Sequence, residues 1–248
     1  MTDIKWCINY LKDYNKTQVD ILDDWSAFRG LLNVTMPLDL SDEFYQRQDR
    51  VLQEILSKKN IVDASSFKDG ISLHKGDITL INADAIVNAC NSKMLGCFAP
   101  NHHCIDNAIH SFAGLQVRRD MMEIMKRQGH DEPNGQVKVS SAYNLPCKYI
   151  FHTVGPIYRG IHRDETDLAS CYYSCLRKAD EMKLESIVFC SLATGIYGFP
   201  IEKASRIAVK CVNAYLKENN KNIKKIIFDV FSDRDYQIYK KTLEEAGL

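Results

Sequence analysis

Apolar residues follow two different periods along the chain. Up to about residue 62 they recur at the 3.6-residue spacing of amphipathic helices, and the clearest stretch follows an acidic turn at Ser41-Asp42-Glu43. Met36-Pro37-Leu38 interrupts the pattern before that turn. Three helices are therefore predicted, on three sets of residues that nearly keep this period: Trp6, Leu11 and Tyr14; Ile21, Leu22, Trp25 and Phe28, ending near Gly30; and Phe44, Gln48, Val51, Leu52, Ile55 and Leu56.

From about residue 69 onward, short β-rich runs alternate with helical patterns. This alternation predicts a mostly parallel sheet covered on both faces by helices, which is a three-layer α/β/α domain with ligands at the carboxyl ends of its strands. The predicted strands are 71–73, 85–88, 137–142, 149–153, 187–191 and 225–231, and the predicted helices are 105–112, 115–128, 166–182, 201–217 and 233–245.

The helical N-terminal part is too short to form more than a marginal core by itself. No low-complexity linker separates it from the β-rich part. The sequence therefore predicts a helical extension at residues 1–65, packed on a main domain at residues 66–248.

Composition and charge narrow the functional classes. With 45% hydrophobic residues the chain of 248 residues is globular, and its 32 basic residues balance its 32 acidic ones, so no net charge attracts nucleic acid or an anionic membrane. Apolar runs are too short to span a bilayer, and the first residues do not resemble a signal peptide. We expect a cytoplasmic protein whose nine cysteines are mostly reduced.

A glycine-containing loop joins the predicted strand 187–191 to the helix that begins at Ile201. Gly195 and Gly198 allow backbone N–H groups to turn toward an anion, and Pro200 leaves the start of the helix open. The loop matches neither the lysine-bearing P-loop nor the dinucleotide-binding glycine pattern. It is either a phosphate or pyrophosphate site or a plain strand-to-helix turn.

Two further polar positions follow predicted strands. Asp77 can cap backbone N–H groups or accept a hydrogen bond from the amino group of a ligand base. Asn88 and Asn91 can bind ribose hydroxyls without carrying a charge, or serve only as turn residues.

A compact cysteine and histidine cluster lies between these positions and the next helix. Cys97, His102 and Cys104 form a C-x4-H-x-C pattern, whose three ligands suit zinc and leave one coordination position open, as in catalytic sites. His103 and His110 are alternative ligands, and a cluster without metal is the other interpretation. Asp106, in the first turn of the following helix, either favours the helix dipole or orients water beside the metal.

Five segments together resemble the macrodomain, the ADP-ribose-binding fold, in order and spacing over roughly residues 69–245. They are Gly76-Asp77-Ile78, Ile86 to Ser92, the Cys/His loop, Phe151 to Pro156, and Thr194 to Pro200. Leu95 through His110 resembles the zinc-containing macrodomain subclass more narrowly, and the helical N-terminal part is similar to the extension of that subclass. Cys90 departs from the more usual alanine.

The resemblance implies a mixed central sheet and specific roles for the residues of the site. Asp77 and Ile78 would bind the adenine, and Phe231 would pack against it. Thr194, Gly195, Ile196, Tyr197 and Gly198 would surround the pyrophosphate, Asn91 would hold the outer ribose, and Cys97, His102 and Cys104 would bind one Zn²⁺ per chain, with Asn91 and Asp106 as the catalytic pair.

The activity that these roles imply is zinc-dependent removal of mono-ADP-ribose from protein side chains, by cleavage at the anomeric carbon of the outer ribose. The zinc would either lower the pKa of a water molecule or hold a ribose hydroxyl. The expected partners are ADP-ribose and a mono-ADP-ribosylated protein, such as a lipoyl carrier protein modified by a sirtuin-like transferase, and neither nucleic acid nor membrane. The alternatives are an ADP-ribose reader without turnover and a hydrolase of O-acyl-ADP-ribose.

Overall fold

A computed structural model describes residues 1–17 and 23–248 of the chain. The strands are β1 (Val62–Asp63), β2 (Gly70–Lys75), β3 (Ile81–Asn82), β4 (Ala85–Cys90), β5 (Val137–Ser141), β6 (Tyr149–Val154), β7 (Ser186–Phe189) and β8 (Lys225–Val230). The helices are α1 (Asp3–Asn15), α2 (Asp24–Val34), α3 (Asp42–Ser57), α4 (Ile105–Ala113), α5 (Leu115–Gln128), α6 (His162–Glu181), α7 (Ile201–Glu218) and α8 (Asp233–Glu245).

Six strands form the central sheet in the order β2-β8-β7-β4-β6-β5. All neighbouring strands pair in parallel except β5, the strand at one edge of the sheet, which pairs antiparallel with β6. The central strands β4 and β7 are almost wholly buried, since helices cover both faces of the sheet, and this explains their continuous apolar runs. The predicted α/β fold with a mixed sheet and flanking helices is confirmed.

Most predicted elements of the sheet and its helices are present, with shifted ends. Strands predicted to reach Ser191 and Phe231 end at Phe189 and Val230, where the chain leaves the ladder to form loops. Helix α6 begins four residues before the predicted 166 because the Asp164 carboxylate accepts hydrogen bonds from the Arg159 and Ile161 backbone N–H groups. The two-residue strands β1 and β3, which pair with each other, were not predicted.

Helices α1 to α3 form a second, smaller core that joins the body at α5. Its buried residues, including Leu11, Phe28 and Phe44, pack together with Leu115 of α5. The side chain of Gln48 in α3 also donates to Gln116 and accepts from the backbone N–H of Leu115. The boundary between residues 1–65 and 66–248 stays a prediction.

The second predicted helix ends later than expected. Helix α2 continues through Gly30 to Val34, so the prediction of an end near Gly30 was wrong, and Ile21 and Leu22 lie outside the described residues. Gly30 allows close packing, because a Cβ atom there would lie 3.2 Å from the Asn101 side-chain nitrogen. None of the helices in residues 1–17 and 23–248 is long and apolar enough to cross a membrane.

Candidate active site

A cleft of about 1130 Å³ opens at the carboxyl ends of the parallel strands, where α/β sheets bind ligands. Gly198 does not line it, and Asn88 is buried beneath it. Most residues singled out in the sequence do line it: Asp77, Ile78, Asn91, Cys97, His102, Cys104, Asp106, Thr194, Gly195, Ile196, Tyr197 and Phe231.

One end of the cleft follows β2 and β8. Oδ1 of Asp77 accepts hydrogen bonds from the Thr79 backbone N–H at 3.0 Å and its hydroxyl at 2.6 Å, so this carboxylate does cap a turn. Oδ2 of Asp77 accepts no hydrogen bond from residues 1–17 or 23–248 and remains free for a ligand donor. The Phe231 ring is 86% exposed, which leaves its face open for stacking.

The glycine-containing loop forms a tight turn between β7 and α7. The Gly198 N–H donates to the Gly195 carbonyl at 2.9 Å, and Gly198 has a positive φ of 69°, so it closes the turn instead of facing the cleft. A Cβ atom at Gly195 would meet nothing within 4 Å, which shows that the tip is open. Pro200 caps α7 without a side-chain hydrogen bond, so the helix N-terminus can attract an anion.

Cys97, His102 and Cys104 come together on the cleft wall. Their sulfur and nitrogen donor atoms all lie within 4.8 Å of one another, and Sγ of Cys97 lies 3.7 Å from Nδ1 of His102. Cys104 also caps α4, where its sulfur accepts a hydrogen bond from the Asn107 N–H at 3.4 Å. Two sulfurs and an imidazole at these separations fit a zinc ion.

The alternative histidines lie apart from this group. Among the described residues, the cluster of suitable donors contains His102 but neither His103 nor His110. His103 lines the cleft, and His110 is buried with Nε2 at 3.6 Å from Oδ1 of Asp106. The geometry therefore favours His102 among the three histidines of this segment.

Two asparagine amides approach Asp106 at the floor of the cleft. Asn88 donates to Oδ1 at 2.8 Å, while Nδ2 of Asn91 donates to the Gly96 carbonyl at 3.1 Å and lies 3.5 Å from Oδ2. Burial raises the pKa of Asp106 to about 6, although the Asn88 hydrogen bond acts in the opposite direction. The interpretation of Asn88 as a ribose ligand was wrong, because its side chain points into the protein.

Buried imidazoles surround the far side of Asp106. Burial lowers the pKa of His110 well below its usual value and lowers the pKa of His152 to about 3, so both rings are neutral at neutral pH. Nδ1 of His152 lies 3.2 Å from the Asn88 amide, and Nε2 lies 2.9 Å from the Ser140 hydroxyl. These two imidazoles therefore carry no charge, and the Arg118 guanidinium is the charged group that acts to lower the pKa of Asp106.

Arg29, which was not predicted from the sequence, reaches the cleft from α2. Its guanidinium donates to the His102 carbonyl at 3.0 Å and to Oδ1 of Asn107 at 2.8 Å. These partners lie more than seventy positions away along the chain, so no local pattern marks this arginine among the 32 basic residues.

Comparisons with known proteins agree with this geometry. Residues 87–208 match the family model described as the Macro domain. The chain is also 46% identical over 226 residues to a protein named "Protein-ADP-ribose hydrolase" from Staphylococcus aureus (strain MRSA252), covering 88% of this chain and 84% of that relative. The chain belongs to the macrodomain family. The expected resemblance to macrodomains is therefore confirmed, and the zinc-containing subclass stays a prediction.

Two further relatives extend the comparison of this macrodomain. A "Protein-ADP-ribose hydrolase" from Treponema medium is 46% identical over 251 aligned residues, covering 97% of this chain and 96% of the relative, so the similarity includes helical residues before the sheet. The crystal structure of a Trypanosoma brucei macrodomain in complex with ADP-ribose is 28% identical with a TM-score of 0.66, covering 87% of this chain and 94% of that chain.

Proposed function

We propose that this macrodomain is a hydrolase that releases mono-ADP-ribose from modified protein side chains. One observation carries the proposal: Asp106, Asn91 and the Cys97, His102 and Cys104 cluster line the same cleft as Asp77 and the glycine-containing loop. The relatives named protein-ADP-ribose hydrolase support it, because they align with most of the chain. The names of these relatives agree with the prediction, made from the sequence, of an enzyme that removes ADP-ribose from proteins.

The remote parts of the ligand would be held by groups that do not react. Oδ2 of Asp77 would accept from the adenine amino group, with Ile78 beside it, and Phe231 would stack on the ring. Backbone N–H groups of residues 194–197 would bind the pyrophosphate. This binding would place the outer ribose over Asn91 and Asp106.

Cleavage would break the bond between the anomeric carbon and the modified side chain. Asn91 would hold the outer ribose, and the Asp106 carboxylate would position the attacking water and take its proton while the side chain leaves. Cys97, His102 and Cys104 would hold zinc. When bound, the ion would supply Lewis acidity that either lowers the pKa of the attacking water or holds a ribose hydroxyl.

The protein partner would be a mono-ADP-ribosylated protein. A lipoyl carrier protein modified by a sirtuin-like transferase is one such candidate, and the resemblance described above is its support.

Turnover and binding should be measured separately on wild type and Asp106→Ala. We expect wild type to release free ADP-ribose from at least one of several mono-ADP-ribosylated proteins of differing linkage, and strong chelation to abolish release. Asp106→Ala should lose turnover by about 10²- to 10⁴-fold while still binding ADP-ribose, because the adenine and pyrophosphate contacts remain.

Two results would contradict the hydrolase. Tight binding of ADP-ribose by wild type without release from any linkage would identify a reader. Cleavage of O-acyl-ADP-ribose with no action on modified proteins would identify the small ester as the substrate. Full turnover in protein verified to be free of metal would remove zinc from the mechanism and leave the hydrolase.

A further inference from the structure

The candidate zinc ligands lie on a segment that has no regular structure of its own. Residues 97–104 contain only turns and bends between β4 and α4. The donor atoms of this segment are nevertheless grouped within 4.8 Å. A loop keeps such a geometry only when neighbouring elements hold its backbone.

Arg29 of α2 provides the first of these contacts. Its Nη2 donates to the carbonyl of His102 at 3.0 Å, and Nε and Nη2 donate to Oδ1 of Asn107 at 3.2 and 2.8 Å. Asn107 in turn donates through its amide to the Ala99 carbonyl at 3.0 Å and through its backbone N–H to the sulfur of Cys104. One guanidinium therefore holds His102 directly and Cys104 through Asn107.

Asn33, one turn further along α2, provides a second contact. Its fully buried side chain accepts from the Asn101 backbone N–H at 2.8 Å and donates to the Ser111 hydroxyl at 2.9 Å. The Asn101 side chain donates back to the Ser26 carbonyl of α2 at 3.0 Å. This residue has a positive φ of 53°, so the contacts fix a strained point in the middle of the loop.

Arg118 of α5 joins the same two segments at the beginning of the loop. Its Nε donates to the Leu95 carbonyl at 2.7 Å, while Nη1 donates to three carbonyls at the end of α2, those of Leu32, Asn33 and Thr35. The guanidinium also lies 4.4 Å from the centre of the Phe98 ring. The buried cation thus ties the N-terminal region to the metal-binding segment.

We propose that α2 is a structural part of the metal site, with Arg29 and Asn33 as positioning residues that determine how tightly Cys97, His102 and Cys104 hold zinc. This inference rests on the zinc site of the proposed function. Groups that orient metal ligands typically contribute about 10- to 100-fold in metal affinity. The N-terminal region is then required for the site and does more than pack against α5.

The test compares zinc affinity among full-length variants by competition with a chromophoric chelator. Arg29→Met and Asn33→Ala should each weaken zinc binding by about 10- to 100-fold. Arg29→Lys keeps the positive charge but loses the forked donors of the guanidinium. Its zinc affinity should therefore be about tenfold weaker than that of wild type, so the conservative substitution should not restore binding. Asn33 does not line the cleft, so its effect cannot come from lost ligand contacts.

Gln53→Met is the matched control. Gln53 of α3 donates to the backbone and side-chain oxygens of Asn144 at 3.1 Å, so this variant also removes hydrogen bonds between the N-terminal helices and the body. Within residues 1–17 and 23–248 its side chain makes no hydrogen bond to residues 97–104, and zinc affinity should stay within twofold of wild type. Melting temperatures of all variants, measured together, should not follow the order of zinc affinity.

Two outcomes would overturn the inference. Zinc affinity within twofold of wild type in both Arg29→Met and Asn33→Ala would show that α2 does not position the ligands. An equal loss in Gln53→Met would assign the effect to general loosening of the N-terminal helices. Wild type that releases ADP-ribose but binds no zinc would refute the metal site itself. Failure of the proposed zinc site is therefore distinguishable from failure of the positioning role of α2.

Discussion

Two asparagine amides fix the orientation of the Asp106 carboxylate, and both lie at the end of β4. Asn88 faces inward and holds Oδ1, while Asn91 stays at the cleft surface near Oδ2. Alternation along a strand explains this split only in part, because Asn91 follows the last residue of the strand. The carboxylate is therefore preorganised before any ligand arrives, which reduces the ordering needed for reaction.

Gly96 allows the backbone before the cysteine and histidine cluster to pack closely against the His110 ring. Its φ is +84°, and a Cβ atom there would lie 2.8 Å from the His110 ring. Gly96→Ala should displace either the ring or the Gly96 carbonyl that accepts from Asn91, and a shift of about 1 Å at Asn91 is expected to cost about 100-fold in turnover. The measurement is the rate of ADP-ribose release, together with the free energy of unfolding.

Gly129→Ala is the control for Gly96→Ala. Gly129 has a similar φ of +76°, but a Cβ atom there would meet nothing within 4 Å. This variant should lose about 1–2 kcal/mol of stability from backbone strain and keep wild-type turnover. Equal turnover in both variants would show that the contact between Gly96 and His110 has no catalytic consequence.

At the scale of elements, the loop between α7 and β8 is held by one carboxylate. Asp180 of α6 accepts from the backbone N–H groups of Lys221 and Asn222 and from the Tyr215 hydroxyl. Burial by itself would raise the pKa of Asp180, but these hydrogen bonds outweigh it and lower the pKa below the usual value. The charged form is therefore the one that stabilises the fold.

This shift gives the direction of a pH dependence. Because the pKa is lower in the folded state, the stabilisation is complete above the unfolded pKa near 4 and is lost as pH falls through the folded value. Asp180→Asn should cost about 1–3 kcal/mol at pH 7, measured by urea unfolding, and the difference from wild type should shrink as the pH falls below the unfolded pKa. A constant difference across this range would contradict the assignment.

The elements themselves could largely be predicted, because their apolar periods are long and regular. Helix α5 matches its prediction at Leu115–Gln128, whereas β1 and β3 are two residues each and carry no period. Helix α2 passes through Gly30, where the Asn101 side chain packs closely against the helix, and a local glycine signal does not reveal such a distant contact.

The candidate site could be predicted only where its residues lie close together in sequence. Cys97, His102 and Cys104 form one short pattern, and the structure groups their donor atoms. Arg29 and the network of Asn88, His110 and His152 depend on contacts between distant segments. Spacing along the chain carries no information about such contacts. The roles of these residues can therefore be recognised only in the folded structure.

At the scale of the whole molecule, the N-terminal helices and the sheet domain share buried polar contacts as well as apolar ones. Arg118 is 1% exposed, and within the described part of the chain three of its four hydrogen-bond acceptors are carbonyls of residues 32–35. Burial lowers the pKa of Arg118 to about 10, which leaves it charged at neutral pH. A buried charge without its partners is strongly destabilising.

Removing residues 1–65 should therefore destabilise the remaining part of the protein. We expect residues 66–248 alone to melt at a lower temperature than the full chain, because Leu115 would be exposed and Arg118 would lose its carbonyl partners from α2. The proposed ADP-ribose contacts at Asp77 and the glycine-containing loop lie on the remaining part, so any fraction that folds should still bind ADP-ribose. Calorimetric melting and ADP-ribose titration of both chains check these outcomes.

Two results would contradict this prediction. An unchanged melting temperature would show that the extension is an independent unit. Loss of ADP-ribose binding by folded, truncated protein would place part of the binding site in the extension.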